Sequence, residues 1–121
     1  MHAEVLDRIR AMVAALEAKM AYHLLALDVS ARTSIAEAFV LCSVGSPRQA
    51  QAVADEVDRT LVALGERPLS VEGYAPGSWI LMDYGDIVLH IFLEERREYY
   101  ALERLWGDAP AIAPRVLPAT P

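Results

Sequence analysis

The sequence predicts a single-domain α+β protein in which helices pack on a mixed five-stranded sheet. Three observations carry this prediction: a length of 121 residues with 55% hydrophobic and 23% charged residues, three segments with apolar residues at helical spacing, and five short apolar segments that suit strands. A chain of this size can bury enough apolar surface to fold without staples. It contains one cysteine, Cys42, which excludes an internal disulfide and a cysteine metal cluster.

The first three predicted elements are a helix and two strands. Residues 3–20 place apolar side chains at steps of three and four, which predicts an amphipathic helix with one buried stripe. Residues 22–29 follow as a strand that ends in a polar cluster. Residues 38–44 contain the run FVLCSV, and a near-continuous apolar run is typical of a central strand that is covered on both faces.

A capping box predicts where the second helix begins. Ser46 suits the N-cap, Pro47 the first helical position, and Gln49 the third. The helix then shows an apolar face up to residue 64, and Gly65 is placed to end it. If the strands on either side of this helix are parallel, they would form a right-handed crossover.

The second half of the chain reads as a strand, a hairpin and a helix. A short strand is predicted at residues 69–72, and residues 73–77 form a turn. Residues 78–93 form a hairpin around Tyr84-Gly85, and residues 94–106 have helical spacing with acidic residues at the start.

The end of the chain has a different composition. Four of the seven prolines lie in the last twelve residues, which predicts a folded domain at residues 1–108 and a disordered tail at 109–121. No apolar run approaches the ~18–20 residues of a membrane span, and the N-terminus lacks the pattern of a signal peptide. We therefore expect a cytoplasmic protein.

The predicted hairpin has two chemically different faces. With Tyr84-Gly85 as a two-residue loop, strand alternation places Asp83 opposite Asp86. The face that these acids share also carries Trp79, Leu81, Val88 and His90. The other face is aliphatic and is predicted to be the core side; it comprises Ile80, Met82, Ile87, Leu89 and Ile91. Two interpretations of the mixed face stay open: it docks a basic partner, or a helix of this chain covers it.

The sequence offers little catalytic chemistry. Gly45-Ser46, between a strand and a helix, is similar to the phosphate-binding turn of nucleotidyltransferases. An enzyme would also need a carboxylate cluster for Mg²⁺, which Asp83 and Asp86 could supply only if the sheet brought them to Ser46. A plain capping role for Ser46 is favoured, with the enzyme kept as the alternative. The three histidines lack metal-ligand spacing, so no metal or cofactor is predicted, and the net charge of −6 argues against non-specific nucleic-acid binding.

Several strings in the chain resemble one known family. The resemblance covers residues 4–108 in order. The family is the ribosomal silencing factor family, also called Iojap. The strings that carry it are Ser46-x-Arg48-Gln49, Val71-Glu72-Gly73, residues 79–92 (WILMDYGDIVLHIF) and Leu102-Glu103-x-Leu105-Trp106-Gly107-Asp108.

This resemblance implies a factor that binds the large ribosomal subunit through large-subunit ribosomal protein fourteen. Bound there, it would block joining of the small subunit and repress translation when nutrients are short, while organellar relatives are tied to ribosome biogenesis. It also implies a nucleotidyltransferase-like topology without catalytic carboxylates, and a homodimer in the free state. Carried over by motif, the partner-binding residues are Trp79 as the aromatic anchor, Asp83 and Asp86 facing basic groups, Leu81, Tyr84, Val88 and His90, with Arg97 and Tyr100 on the following helix.

Overall fold

The computed structural model describes residues 2–96 and residue 112. Their order along the chain is helix, strand, strand, helix and three strands, and a third helix begins at residues 94–96. Each of the elements lies within two residues of its predicted bounds. They are α1 (Ala3–Ala18), β1 (Tyr22–Asp28), β2 (Ala38–Val44), α2 (Pro47–Val62), β3 (Ser70–Glu72), β4 (Trp79–Asp83) and β5 (Ile87–Leu93).

The strands form one mixed five-stranded sheet in the order β1-β2-β5-β4-β3, which confirms the predicted class. β2 and β5 run parallel at the centre, and the other neighbouring pairs are antiparallel. A bulge interrupts the β1–β2 pairing between Tyr22 and Leu25. Because β5 lies between β2 and β4, the centre of the sheet depends on a pairing between distant parts of the chain.

The two faces of the sheet carry two separate apolar clusters. The larger lies under α1 and α2 and includes the buried Cys42. All seven residues of β2 are buried, as predicted for a central strand. The smaller cluster lies on the opposite face of the sheet. Its buried members are Leu27, Val29, Ala36, Phe39, Leu41 and Phe92, and Leu25, Trp79 and Val88 pack against them.

The start of α2 is capped as predicted, with one difference. The hydroxyl of Ser46 accepts a hydrogen bond from the backbone N–H of Gln49 at 3.1 Å. The side-chain oxygen of Gln49 accepts from the N–H of Gly45 at 2.7 Å, one residue before the usual capping-box partner. The Gln49 amide nitrogen donates to the carbonyls of Lys19 and Met20, both at 3.1 Å. Gln49 therefore ties the end of α1 to the start of α2.

The predicted turn before β4 depends on two glycines. Gly73 has a φ of +78°, and a Cβ there would lie 2.1 Å from the carbonyl oxygen of Trp79. The N–H of Gly77 donates to the carbonyl of Gly73 at 3.0 Å. A Cβ on Gly77 would lie 2.7 Å from the Cβ of Pro47. The turn therefore fits closely between the first residue of β4 and the first residue of α2.

One residue of the predicted tail has a described position. The N–H of Ile112 donates to the carbonyl of Ala26 at 2.8 Å, on the edge strand β1. The rest of the predicted helix 94–106 beyond residue 96 and of the tail lies outside the described residues, as do Arg97 and Tyr100.

Candidate functional site

The hairpin pairs in a different register from the predicted one. The N–H of Tyr84 donates to the carbonyl of Ile87 at 2.9 Å, so the two loop residues are Gly85 and Asp86 rather than Tyr84 and Gly85. Gly85 has a φ of +90°, and a glycine at the first of two loop positions is the pattern of a type II′ turn. The observed pairs are Trp79 with Phe92, Leu81 with His90, and Asp83 with Val88.

The two faces of the hairpin nevertheless keep their predicted members within the strands, because the register differs by two residues and strand side chains alternate with a period of two. The aliphatic face is the core side, as predicted: Ile80, Met82, Ile87, Leu89 and Ile91 are at most 1% exposed. We use the name mixed face for Trp79, Leu81, Asp83, Val88 and His90, which lie on the side of the sheet away from α1 and α2.

Asp86 does not lie opposite Asp83, and the prediction that it does is wrong. Its carboxylate forms an ion pair with both terminal nitrogens of Arg8 on α1, one of them at 2.8 Å. Arg8 also contacts Glu66 at 3.3 Å. The charge of Asp86 is therefore neutralised on the helix-covered side of the sheet, away from the mixed face.

Tyr84 is also turned toward the helices. It is 7% exposed and belongs to the cluster under α1 and α2. Burial, reinforced by the carboxylates of Asp58 and Glu66, raises the pKa of the Tyr84 hydroxyl to about 12. The sequence placed Tyr84 in the loop, whereas the observed register makes it the last residue paired before the loop. Its side chain therefore contributes to the core rather than to the mixed face.

We expect Asp86→Asn to destabilise the fold by about 1–2 kcal/mol at pH 7, because it weakens charge-assisted hydrogen bonds to Arg8. The hydrogen bond from Arg8 lowers the pKa of Asp86 below 3.8. A carboxyl group whose pKa is lowered on folding stabilises the folded state at pH values above 3.8. This contribution is lost as the pH falls through the pKa of the folded state. Urea unfolding across this range should show a larger loss of stability in the wild type than in the variant, which keeps the lowered pKa of Asp28. Asp7→Asn, which breaks an exposed pair with Arg10, is the control and should change stability by less than about 0.5 kcal/mol; an equal effect of both variants would contradict the prediction.

The mixed face is organised around a contact between Trp79 and His90. The indole N–H of Trp79 donates to Nδ1 of His90 at 3.2 Å. The indole ring stacks on Phe92 at 5.2 Å between centroids, and the rings of Phe39 and His90 meet edge to face with their centroids 5.1 Å apart. Trp79 stays half-buried, whereas His90 is 4% exposed. These contacts fix the indole in one orientation.

The protonation state of His90 follows from this geometry. Because Nδ1 accepts a hydrogen bond, the ring proton of the neutral imidazole is on Nε2. Burial lowers the pKa of His90 from 6.5 to about 4, so the ring is neutral at pH 7. Within the described part of the chain, Nε2 is buried and has no hydrogen-bond partner. The histidine thus places an unsatisfied donor within the mixed face.

The buried His90 should make stability pH-dependent in mildly acidic solution. Because its folded-state pKa of about 4 is below 6.5, the unfolded chain binds a proton first, and stability falls as the pH drops from 6.5 toward 4. The limiting slope is about 1.4 kcal/mol per pH unit. Urea unfolding at pH 7.5 and pH 5 measures it. His90→Gln should flatten this dependence and His2→Gln, at an exposed position, should not; equal slopes for all three proteins would contradict the assignment.

A groove of about 480 Å³ lies beside the mixed face. Ile35 in the β1–β2 loop and Leu69 before β3 stand at its rim, each 76% exposed. Glu72 and Asp83 supply carboxylates, and none of the described lining residues is a lysine or an arginine. Ile35, Leu69 and Glu72 were not predicted as site residues. Ile35 follows a polar cluster, and the other two lie in the predicted strand 69–72, whose position at the edge of the sheet has no local signal. The described lining residues are Ile35, Ala36, Phe39, Leu69, Glu72, Leu81, Asp83, Gly85, Val88 and His90.

The turn at Gly45-Ser46 is engaged within the chain. The N–H of Gly45 and the hydroxyl of Ser46 are both hydrogen-bonded to Gln49. Asp86 lies at the opposite end of β2, where its carbonyl accepts from the N–H of Ala38 at 3.1 Å. A seven-residue strand separates the two ends by roughly 20 Å. The sheet therefore does not bring Asp83 and Asp86 to Ser46 as a metal pair.

Residues 2–96 and 112 contain neither a metal-binding cluster nor a membrane-spanning helix. No group of three or more histidine, cysteine or carboxylate side chains could hold a metal ion there. No helix among those residues is long and apolar enough to cross a membrane.

Comparison with known proteins assigns the chain to a family. Residues 2–120 match the family described as "Ribosomal silencing factor during starvation". The ribosomal silencing factor RsfS of Halalkalibacterium halodurans is 39% identical over 100 residues, which cover 83% of this chain and 86% of the relative. The RsfS of Bacillus subtilis is 40% identical over 97 residues, 80% and 82% of the two chains. These relatives carry the name of a regulatory factor rather than of an enzyme.

The fold agrees with this similarity. A crystal structure of a protein from Chromobacterium violaceum matches with a TM-score of 0.80 at 33% identity and covers 88% of each chain. A second structure, from Bacillus halodurans, matches with a TM-score of 0.78 at 32% identity and covers 93% of this chain and 99% of that one. The resemblance carried by the hairpin and capping strings is confirmed, and the chain belongs to the ribosomal silencing factor family.

Proposed function

We propose that this protein binds the large ribosomal subunit through the mixed face and thereby blocks joining of the small subunit and represses translation. The observation that carries the proposal is the composition of that face. It combines a half-buried tryptophan, half-buried aliphatic side chains and acidic groups beside a groove, as in the core of a protein interface. Neither α1 nor α2 packs on it.

The partner that fits this face is a basic protein surface. The chain has a net charge of −6, and the carboxylates of Asp83 and Glu72 line the groove. Such a surface attracts a basic protein and repels the phosphates of RNA. We propose large-subunit ribosomal protein fourteen as this partner, in the cytoplasm, as the family resemblance implies. Asp86 and Tyr84 act in this proposal by holding the hairpin against the helices, whereas Trp79, Leu81, Asp83, Val88 and His90 make or support the contact.

The direct test is a subunit-joining experiment. Purified bacterial small and large subunits are mixed with and without the protein at a Mg²⁺ concentration that supports joining, and the particles are separated by sedimentation. We expect the protein to sediment with the large subunit and to reduce the joined fraction in proportion to its occupancy. Unchanged joining at full occupancy of the large subunit would refute the block. Absence of binding to either subunit would refute the whole proposal.

The proposal includes a nucleotidyltransferase-like topology without catalysis. The groups that would cradle a phosphate at Gly45-Ser46 are hydrogen-bonded to Gln49, and the hairpin acids lie at the other end of β2. Titration with a nucleoside triphosphate and Mg²⁺ in a calorimeter should therefore show no binding. Saturable binding would favour the enzyme instead.

We also propose that the free protein is a homodimer that uses the mixed face. A partly exposed apolar patch is commonly covered by self-association. Mass measurements across a dilution series should then show a dimer, and large subunits should dissociate it. A dimer that stays intact on the subunit would contradict the shared surface.

A further inference from the structure

We propose that the groove beside the mixed face receives a segment of the partner that supplies an aliphatic side chain, a lysine or arginine, and a hydrogen-bond acceptor for Nε2 of His90. This inference rests on the proposed function, because the segment belongs to the protein of the large subunit that this chain binds. The proposed function is thereby extended to the chemical groups that the groove binds and to the atom, Nε2 of His90, that donates a hydrogen bond to them.

His90 presents an unsatisfied hydrogen-bond donor to the groove. Its Nδ1 accepts from the indole of Trp79, so Nε2 carries the proton, and that atom is buried without a partner in the described chain. Buried polar groups are nearly always hydrogen-bonded, and leaving one unpaired costs about 1–3 kcal/mol. His90 also lines the groove. Because Nε2 is covered in the free chain, an occupant of the groove would satisfy this donor by bringing a carbonyl or carboxylate oxygen beside the ring as the covering side chains move aside.

The groove has an apolar floor. Phe39, Leu81 and Val88 line it, and Ile35 and Leu69 stand at its rim with 76% exposure each. Large aliphatic side chains exposed on two sides of a concave surface favour a site that closes over an apolar group. The volume of about 480 Å³ is enough for one or two side chains together with their backbone.

The groove also carries negative charge. Glu72 and Asp83 contribute carboxylates to the lining, and the described lining contains no lysine or arginine that could neutralise them. Asp83 also accepts a hydrogen bond from the N–H of Gly85 at 2.8 Å, which orients its carboxylate. The complementary occupant has a lysine or arginine next to its aliphatic side chain. A phosphate backbone would be repelled, which favours a peptide over RNA.

Crosslinking tests the occupant directly. The native thiol of Cys42 is buried, so a cysteine introduced at the surface can be labelled selectively with a photoreactive maleimide. Ile35→Cys and Leu69→Cys place the label at the groove. Met20→Cys, at a position 77% exposed at the end of α1, is the matched control. Each labelled protein is bound to purified large subunits and illuminated, and the crosslinked peptides are sequenced.

We expect both groove positions, but not the control, to crosslink to a basic segment of one large-subunit protein. In the material that sediments with the large subunit, crosslinks to ribosomal RNA or to a second copy of this chain would overturn the proposal. Binding with no crosslink from either groove position would also overturn it while leaving the proposed function intact. Failure of the unlabelled wild type to bind subunits would instead be a failure of the proposed function.

A pair of variants tests the role of Nε2. His90→Gln can place an amide N–H near the position of Nε2, whereas His90→Asn can accept from Trp79 but lacks a donor at the Nε2 position. We expect affinity for large subunits to fall about tenfold in the asparagine variant, the equivalent of ~1.4 kcal/mol, and to stay within about threefold in the glutamine variant. Both are compared by denaturant unfolding at the assay pH. Equal affinity of the two variants would refute the hydrogen bond, and the crosslinking result does not depend on either variant folding.

Discussion

Replacing Trp79 with alanine should weaken binding to the large ribosomal subunit by about 30- to 1,000-fold, the equivalent of ~2–4 kcal/mol for an aromatic hot spot. The indole is half-buried and is held by a hydrogen bond to His90 and by stacking on Phe92. A side chain fixed in this way loses little entropy on binding, so most of its contact area contributes to affinity. Sedimentation or a filter assay with labelled protein measures the change.

The same substitution removes contacts within the chain, so stability must be measured beside affinity. Trp79→Phe should keep the stacking on Phe92 while losing the indole N–H, and we expect an intermediate affinity. Tyr74→Ala removes an aromatic side chain that is 39% exposed and whose hydroxyl contacts Asp55 on α2. This control lies outside the mixed face and should bind like the wild type. If Trp79→Ala is folded and binds within twofold of the wild type, Trp79 is not the anchor.

Replacing Gly73 with alanine should destabilise the protein by at least about 3 kcal/mol. The new Cβ would lie 2.1 Å from the backbone oxygen of Trp79, and φ is +78°, a conformation that L-residues adopt only at a cost. The obstacle is backbone, so relief requires the turn or the first residue of β4 to move. For a chain of this size, this loss corresponds to a fall of about 10–20 °C in the midpoint of thermal unfolding, which calorimetry would detect.

Gly65 provides a matched control for the clash. It has a φ of +82° at the end of α2, but a Cβ there meets nothing within 4 Å. Gly65→Ala should therefore cost only the conformational term, about 1–2 kcal/mol. The difference in the free energy of unfolding between Gly73→Ala and Gly65→Ala measures the cost of the clash with the backbone oxygen of Trp79. Similar losses in both would show that the left-handed conformation alone explains the effect.

Much of the fold could be predicted because its signals are local. The cap at Ser46 depends on residues three positions apart, and the burial of β2 follows from its uninterrupted apolar run. The two faces of the hairpin were predicted correctly although the predicted register was wrong by two residues, because an even shift leaves every strand side chain on the same face. The strand order β1-β2-β5-β4-β3 has no comparable local signal, since it depends on which distant strands pair.

The site was predicted less completely, and the errors share one cause. The carboxylate of Asp86 accepts hydrogen bonds from Arg8, 78 residues earlier in the chain. The side chain of Tyr84 packs in the cluster under α1 and α2. Both follow from tertiary contacts that strand alternation cannot show at a loop. The donor of His90 was missed for the same reason, because it requires knowing that Trp79 occupies the other ring nitrogen. The groove depends on Ile35 and Leu69, which only the sheet order brings to one surface.

The parallel pairing of β2 with β5 has a consequence for how the protein forms. The two strands are separated by the whole of α2, β3 and β4, so the central ladder has high contact order and closes late. Until residues 87–93 have been synthesised, the edge of β2 that pairs with β5 has no partner strand. A chain interrupted before this point would expose an unpaired hydrophobic strand edge, which is the surface on which aggregation begins. We therefore expect fragments that end before β5 to be insoluble, and chaperones that bind extended apolar segments to recognise β2 first.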